Sequence, residues 1–232
     1  MTFIAPHYQK AKKKALLPFF RQDHFLVKTP WWLKKLYPDC LWDMPKKEKK
    51  LYISFDDGPH PTITPFVLDE LRKYNAKATF FCIGENVVKY PDIYRQLLDE
   101  GHATGNHTQH HINGWKSADE IYLNDIKEAG AFIDSPLYRP PYGRISRSQI
   151  RKLKQEGFKD QDWSIVMWNI LAGDWVQELS PEKCYHRISR KIRSGDIIVF
   201  HDSEKAWDRM SYCLPLLLEK YSKGGYQFEK IG

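Results

Sequence analysis

Residues 51–61 of the chain read LYISFDDGPHP. Hydrophobic side chains occupy every second position in the first half of this stretch, and a period of two predicts a β-strand. The strand runs into two adjacent aspartates, Asp56 and Asp57, and Gly58-Pro59 ends it. Neighbouring carboxylates repel each other unless a positive group lies beside them. Taken alone, the stretch fits a surface turn as well as a buried site, so the rest of the chain must distinguish the two.

Composition describes a globular protein, and the distribution of charge argues against nucleic acid. The 232 residues are 42% hydrophobic and fall within the size range of a single α/β barrel domain. Residues 1–50 carry 12 Lys/Arg against 4 Asp/Glu, a net of +8, whereas residues 51–232 carry 24 against 25, a net of −1. Nucleic-acid enzymes place basic charge around the working cleft. We therefore predict a basic N-terminal extension, residues 1–50, before a catalytic domain, residues 51–232, that does not act on nucleic acid.

Targeting signals and cysteines bear on the compartment. The apolar run at residues 15–20 contains a proline and is too short for the hydrophobic core of a secretory signal. The four cysteines are scattered, which favours free thiols in a reducing compartment. These patterns lead us to expect a cytoplasmic protein. Residues 31–37, WWLKKLY, could lie on a membrane surface, although packing against the barrel is the favoured interpretation.

Strand-like and helix-like segments alternate from residue 51 onward. Such alternation predicts parallel strands joined by helical crossovers, in a barrel or in an open doubly wound sheet. We expect Thr64 to cap the first helix, and Ser117 and Ser146 to open later helices as capping boxes. The predicted strands are residues 51–55, 77–84, 102–105, 137–139, 164–170, 196–200 and 226–231, and the predicted helices are residues 65–74, 91–100, 117–133, a segment from 146, 181–193 and a segment within 206–221.

Polar side chains follow several of these strands at their carboxyl ends. In parallel α/β folds, ligands and catalytic groups collect at this edge of the sheet. Convergence of so many strand ends is hard to explain as a set of surface turns. The stretches concerned are Asp56-Asp57, residues 105–111 (GNHTQHH), residues 139–143 (RPPYG), Asp174-Trp175 and His201-Asp202.

The histidines after residue 105 have a spacing typical of metal ligands. His107 and His111 are four residues apart, so one helical turn would place both rings on the same face. Two imidazoles, one carboxylate and a water suit a zinc-like ion. His110 stands three residues from His107 and fits almost as well, so spacing alone leaves the second histidine open.

Five short motifs resemble those of polysaccharide deacetylases, which form carbohydrate esterase family four and include the nodulation-type chitooligosaccharide deacetylases. They are SFDDGPHP, HTQHH, RPPYG, the DW of MWNILAGDW, and VFHD, in the family's order and at its approximate spacing. The resemblance covers residues 51 to about 203. It implies an α/β fold, a distorted (β/α) barrel of seven or eight strands in a single domain.

The resemblance also implies a role for each matching residue. One divalent metal ion, zinc first and cobalt or manganese as alternatives, is expected on Asp57, His107 and His111. The other matching positions are the catalytic base Asp56, its partner Arg139, the catalytic acid His201, the tuning carboxylate Asp174, the oxyanion-binding backbone of Tyr142, and the acetyl-pocket walls Trp175 and Val199. The chain departs from the family at Ile112, where proline is common, and at Leu171, where many members have aspartate.

The expected function is metal-dependent removal of acetyl groups from N-acetylated, or O-acetylated, sugars. The bond cleaved is a linear amide rather than a peptide bond, and the partner is an oligosaccharide or polysaccharide that contains N-acetylglucosamine. Two alternatives remain: an amidohydrolase acting on a small cytosolic amide, and a carbohydrate-binding relative without turnover. The full set of proton-carrying residues argues against the second alternative.

Overall fold

The computed structural model describes residues 25–155 and 162–232, so the first 24 residues of the predicted extension lie outside the described residues. Eight parallel strands are hydrogen-bonded in the order β1-β6-β5-β4-β3-β2-β8-β7, and a ninth pairs with the start of β2. The strands are β1 Cys40–Leu41, β2 Lys50–Asp56, β3 Thr79–Cys82, β4 Ala103–Asn106, β5 Leu137–Tyr138, β6 Ser164–Val166, β7 Ile170–Leu171, β8 Ile197–His201 and β9 Gln227–Phe228. The helices are α1 Trp31–Leu36, α2 Ile63–Arg72, α3 Gly84–Lys89, α4 Pro91–Asp99, α5 Asp119–Gly130, α6 Arg147–Gln155, α7 Pro181–Ser189 and α8 Trp207–Lys223.

Strand β2 is the centre of the sheet. It pairs with β3 on one side and with β8 on the other, so that Ser54 lies between Thr79 and Val199. Six of its seven residues are buried, because helices cover one face and the barrel interior covers the other. The core around it includes Phe55 and Phe80, whose ring centroids are 5.0 Å apart. The stretch that opened the sequence analysis therefore forms the central strand of the fold.

The predicted strand at residues 164–170 is wrong as a single element. The structure divides it into β6, which pairs with β5 and β1, and β7, which pairs with β8. The three residues between them carry the chain from one end of the sheet to the other, and no ladder joins β6 to β7 within the described residues. The predicted distorted barrel is confirmed. The distortion lies between β6 and β7, which follow each other in sequence but do not pair in the described part of the chain.

The described part of the predicted extension packs against the barrel. Cys40 and Leu41 form β1, which extends the sheet beyond β6, and Lys28 forms an isolated bridge with Ile170. The division of the chain at residue 50 stays a prediction. All four cysteines are buried and free, as expected.

The start of α2 differs from the prediction. The helix begins at Ile63, two residues before the predicted Pro65, so Thr64 lies inside the helix rather than at its cap. The Thr64 hydroxyl instead lies 2.5 Å from an Asp202 carboxylate oxygen and accepts the His60 N–H at 2.8 Å. Threonine favours N-cap positions, but the Thr64 side chain here contacts Asp202, which is remote in sequence.

One of the two predicted capping boxes is confirmed. The Ser146 N–H donates to the Gln149 side chain at 2.9 Å, and the Gln149 N–H donates to the Ser146 hydroxyl at 3.1 Å. The second box is wrong, because Ser117 donates backward to the Asn113 carbonyl at 3.0 Å and α5 starts without a side-chain cap.

We predict that Gly105→Ala destabilises the protein by about 1–3 kcal/mol, the usual cost of overpacking a core. An added Cβ at Gly105 would lie 2.6 Å from the Phe81 ring and 3.2 Å from the Leu137 Cβ. Urea unfolding measures the change. The control is Gly130→Ala in α5, where the nearest atom to a new Cβ is 4.0 Å away and the substitution should be neutral or slightly stabilising. Equal stability of parent and Gly105→Ala would contradict the packing described.

Candidate active site

The carboxyl ends of the strands line one cleft of about 550 Å³, as the sequence predicted. Asp56 is 4% exposed there, which excludes a surface turn. Residues from β2, β8 and the loops that follow β4, β5, β6 and β7 meet at this edge of the sheet. The lining consists of Asp56, Asp57, His107, His111, Tyr142, Gly143, Arg144, Trp168, Leu171, Trp175, His201 and Lys205.

The two adjacent aspartates face different partners. Asp56 is the last residue of β2, and its Oδ1 lies 2.6 Å from Nη1 of Arg139. Asp57 has φ 83°, in the left-handed region, and its Oδ1 lies 3.3 Å from His111 Nε2 and 3.8 Å from His107 Nε2. The repulsion between the neighbouring carboxylates is relieved because a guanidinium neutralises Asp56, while Asp57 turns toward a pair of imidazoles.

Arg139 is fully buried and hydrogen-bonded along its whole head group. Besides Asp56, its Nη1 donates to the Ser54 hydroxyl at 2.7 Å, while Nε and Nη2 donate at 3.1 Å to the carbonyls of Val166 and Met167. Burial lowers the pKa of Arg139, and the contact with Asp56 opposes that shift. An arginine begins so far above neutral pH that it stays charged here.

The predicted metal-binding histidines lie on a loop, not on one helical turn, so the helical part of the prediction is wrong. The segment after β4 has no helix, and Thr108 and His111 both adopt positive φ, 65° and 55°. These turns bring the rings of His107 and His111 within 5.1 Å of each other, centroid to centroid. Reversals of the backbone in this loop therefore bring the two rings together. The spacing argument had attributed this proximity to a helical turn.

The structure distinguishes His111 from His110. The ring of His110 turns away, and its Nδ1 lies 2.7 Å from a carboxylate oxygen of Asp125. The hydrogen bond that His110 donates to Asp125 raises the pKa of His110. Asp125 also accepts the backbone N–H groups of Gln109 and His110, each at 3.0 Å, which fixes the loop in this conformation. His111 is therefore the histidine that shares the cleft with Asp57.

Asp57, His107 and His111 suit a divalent cation in their donor chemistry. One donor atom from each lies within 4.8 Å of the other two. His107 Nδ1 lies 2.7 Å from the Arg139 carbonyl, an arrangement that makes Nδ1 the donor and leaves Nε2 free to ligate. Burial, followed by the proximity of His111, lowers the pKa of His107 well below its usual value, so the ring is neutral. Two imidazoles and one carboxylate are the ligand set of many catalytic zinc sites.

His201 and Asp174 form a second polar pair in the cleft, where β8 ends beside β2. His201 Nδ1 lies 2.8 Å from Asp174 Oδ1, and the His201 N–H donates to Oδ2 at 2.7 Å. Burial opposes the charge on this ring, but the carboxylates of Asp174, Asp57 and Asp56 outweigh it and raise the pKa of His201 to about 10. The imidazole is therefore protonated at neutral pH and faces the cleft as an acid.

The predicted substrate-binding residues differ in where the structure places them. Tyr142 lies at the mouth with φ 59°, and its ring is 4.6 Å from that of His111. The Trp175 ring meets His201 edge-on at 4.9 Å. Val199 is buried in β8 and is not among the lining residues, so its assignment as a pocket wall stays a prediction. Its register partner Leu171, a position where the chain departs from the family motif, does line the cleft.

Sequence reasoning missed three residues at the mouth: Arg144, Trp168 and Lys205. Trp168 was hidden inside the strand predicted at 164–170, and it is exposed to the cleft only because that strand is broken. Arg144 directly follows the third motif and Lys205 lies three residues after the fifth, and proximity to those motifs was the signal that could have identified them.

Asp202 was noted at a strand end but its contacts were not foreseen. Its Oδ1 accepts the Gly58 N–H at 2.9 Å, and Oδ2 contacts the Thr64 hydroxyl. A Cβ at Gly58 would lie 2.1 Å from Asp202 Oδ2, so only glycine fits beside this carboxylate. Asp202 thereby fixes the turn that carries Asp57.

Comparisons with known proteins agree with this geometry. The polysaccharide deacetylase family model matches residues 43–160. A peptidoglycan-N-acetylglucosamine deacetylase of Bacillus cereus is 38% identical over 82% of this chain and 90% of its own length. A chitooligosaccharide deacetylase of Azorhizobium caulinodans is 35% identical over 68% and 75%.

Solved structures give the same result for the fold. The Bc1960 peptidoglycan N-acetylglucosamine deacetylase superposes with a TM-score of 0.77 at 27% identity, over 88% of this chain and 95% of that one. From the order of its motifs, the geometry of its cleft and these relatives, the chain belongs to the polysaccharide deacetylase family.

Proposed function

We propose that the protein is a metal-dependent hydrolase that removes acetyl groups from the N-acetylglucosamine units of an oligosaccharide or polysaccharide. One observation carries the proposal: two adjacent carboxylates have different partners, Asp56 a buried arginine and Asp57 two histidines, and a protonated His201 lies in the same cleft. The arrangement supplies a base, a cation site and an acid around a single space. The names of the relatives, which act on peptidoglycan or chitooligosaccharide, support a sugar substrate.

An amide resists hydrolysis because its carbonyl is a weak electrophile and its nitrogen leaves only when protonated. A divalent cation on Asp57, His107 and His111 would supply Lewis acidity toward water and toward the acetyl carbonyl. Zinc matches the ligand set best, and cobalt and manganese are the alternatives.

Asp56 is the base that accepts the proton of the attacking water. A positioned base or acid typically contributes about 10²–10⁴-fold to the rate. Arg139 neutralises and aims the carboxylate, and the backbone N–H of Tyr142 donates to the oxyanion of the tetrahedral intermediate. One such donor commonly contributes about 3 kcal/mol.

His201 delivers a proton to the departing nitrogen. Asp174 fixes the ring through Nδ1, so the proton transferred is the one on Nε2. The sugar amine and acetic acid leave as products, and the acid ionises to acetate. Asp56 then loses to solvent the proton that it took, and His201 regains one from solvent. An O-acetyl ester could react at the same groups, since its leaving oxygen needs less help.

The cleft favours a sugar over a small amide. Tyr142 is 59% exposed at the mouth, and the rings of Trp168 and Trp175 line the same opening. Exposed aromatic faces offer apolar surface to the faces of sugar rings, and a small cytosolic amide would use none of it. A non-catalytic carbohydrate-binding relative would have no use for the intact pairs Asp56–Arg139 and His201–Asp174.

The direct test is acetate release from chitooligosaccharides and from peptidoglycan glycan strands, with a panel of small amides in parallel. We expect turnover on the N-acetylated glycans, its loss after exhaustive chelation, and recovery on addition of zinc or cobalt. Full activity without metal, or activity confined to the small amides, would contradict the proposal.

Asp56→Asn and Asp57→Asn form a matched pair that separates the base from the ligand. Asp56→Asn should retain metal stoichiometry, since no ligand is lost, while turnover falls by about 10²–10⁴-fold because an amide cannot take the water's proton. Asp57→Asn should lose at least tenfold in metal affinity, because it replaces one of three protein donors. Calorimetric metal titration and acetate release distinguish them, and the reverse pattern would exchange the two roles.

Asp174→Asn should move the alkaline limb of the pH–rate profile. Activity requires protonated His201, so kcat/KM falls as pH rises through the pKa of that ring. Because Asp174 makes the largest contribution that raises this pKa, its loss should shift the limb toward lower pH by one unit or more.

The control for this shift is Asp69→Asn, which removes the carboxylate of an exposed ion pair with Arg72 on α2, outside the cleft. That variant should keep the alkaline limb at the parent's pH. A limb that does not move in Asp174→Asn would exclude His201 as the acid.

A further inference from the structure

The face of α1 opposite the barrel exposes several large hydrophobic side chains. Trp31 is 69% exposed, Trp32 50% and Leu36 48%. Leu33 and Tyr37, four residues apart, pack inward against a buried cluster that includes Trp42. Trp32 and Leu36, also four apart, therefore share the outward side of this short helix. Exposing two consecutive tryptophan side chains to water is unfavourable in free energy, because apolar surface is more stable when it is buried.

Cations surround this apolar face. A groove of about 590 Å³ between α1 and α6 is lined by Lys35, Arg147, Arg151 and Lys154, and Asp39 is the only acidic residue among the described residues that line it. Asp39 lies 3.8 Å from Lys154. Within residues 25–155 and 162–232, the other three cations have no carboxylate within 4.0 Å, whereas many surface cations elsewhere are paired. The described lining of the groove therefore has a net positive charge.

The cations and the tryptophans belong to one surface. Lys35 Nζ lies 4.9 Å above the Trp31 ring, and Arg147 donates to the Leu36 carbonyl at 3.5 Å. We call this surface the tryptophan–cation face and define it by Trp31, Trp32, Lys35, Leu36, Arg147, Arg151 and Lys154. The sequence upstream of α1 contains further cations, at Lys10 and at Lys12 to Lys14.

We propose that the tryptophan–cation face docks on the headgroup region of a lipid bilayer that contains anionic lipids. Tryptophan rings are enriched at the membrane–water interface, and lysine and arginine stems can lie along apolar surface while their charges reach the headgroups. Each cation near an anionic membrane contributes about fivefold to the binding constant. Such a contact is peripheral, since none of the described helices is long and apolar enough to cross a membrane.

Charge complementarity favours a membrane over a second copy of the chain. A two-fold dimer through this face would place the unpaired cations of both copies against each other, which repels. An anionic bilayer offers a large flat surface that can accept the rings and the cations together. The inference concerns a surface apart from the cleft and does not depend on the proposed activity.

The test is co-sedimentation of the full chain with vesicles of phosphatidylcholine alone and with vesicles containing 30% phosphatidylglycerol. We expect binding to the anionic vesicles, much weaker binding to the neutral ones, and release by high salt. Lys35→Gln/Arg151→Gln should weaken binding by about 25-fold, two factors of five. Trp31→Ser/Trp32→Ser should weaken it at least tenfold, and lipids brominated in the acyl chain should quench tryptophan fluorescence in the parent more than in this variant.

Matched controls distinguish lipid binding through the tryptophan–cation face from nonspecific lipid binding by any exposed cation or apolar side chain. Lys183→Gln/Arg190→Gln removes two exposed cations from α7 and its C-terminal end, and Val88→Ser/Leu98→Ser removes two exposed apolar side chains from α3 and α4. Both controls should bind within about twofold of the parent, and circular dichroism should show that every variant folds. Failure of the parent to bind would overturn the proposal. Equal binding by the parent and the variants of the face would also overturn it, because any affinity would then lie in residues 1–24 or in overall charge.

Discussion

The buried guanidinium of Arg139 is the constraint on which the rest of the site depends. A charge without access to water is tolerated only when its donors are satisfied and an opposite charge lies beside it. Arg139 meets this condition with Asp56, with Ser54 and with the consecutive carbonyls of Val166 and Met167. Consecutive carbonyls point to opposite sides of a regular strand. Both can face one guanidinium only if the strand ends there, which gives a physical reason for the break between β6 and β7.

The same interaction causes the two adjacent aspartates to meet different partners. Because Asp56 is held in the strand by Arg139, the chain must turn at once for Asp57 to reach the histidines, and it does so through a left-handed conformation. Of the five non-glycine residues with positive φ in the described chain, four lie in the site: Asp57, Thr108, His111 and Tyr142. Such conformations persist only where surrounding contacts offset their cost. The hydrogen bonds that Asp202 and Asp125 accept hold two of these turns.

The sequence was sufficient for the parts of the structure that depend on local pattern and order. The β2 strand, the alternation of strands and helices, the convergence of strand ends and the assembly of the motif residues in one cleft were all predicted. Long-range contacts account for what was not. Thr64 is drawn from its expected cap by Asp202, His107 and His111 meet through a loop, and Trp168 reaches the cleft because Arg139 ends its strand. These contacts join residues that are remote in sequence, so a local sequence pattern cannot predict them.

A double-mutant cycle on the buried pair tests the central claim most directly. The free energy of unfolding would be measured by urea for the parent, Asp56→Ala, Arg139→Met and the double variant. Removing one partner of a buried ion pair typically costs about 3–5 kcal/mol, because the other charge is left uncompensated. If Asp56 and Arg139 depend on each other as described, the double variant should lose at least about 2 kcal/mol less than the sum of the single losses. Additivity within about 0.5 kcal/mol would show that the two residues act independently, and would contradict the account.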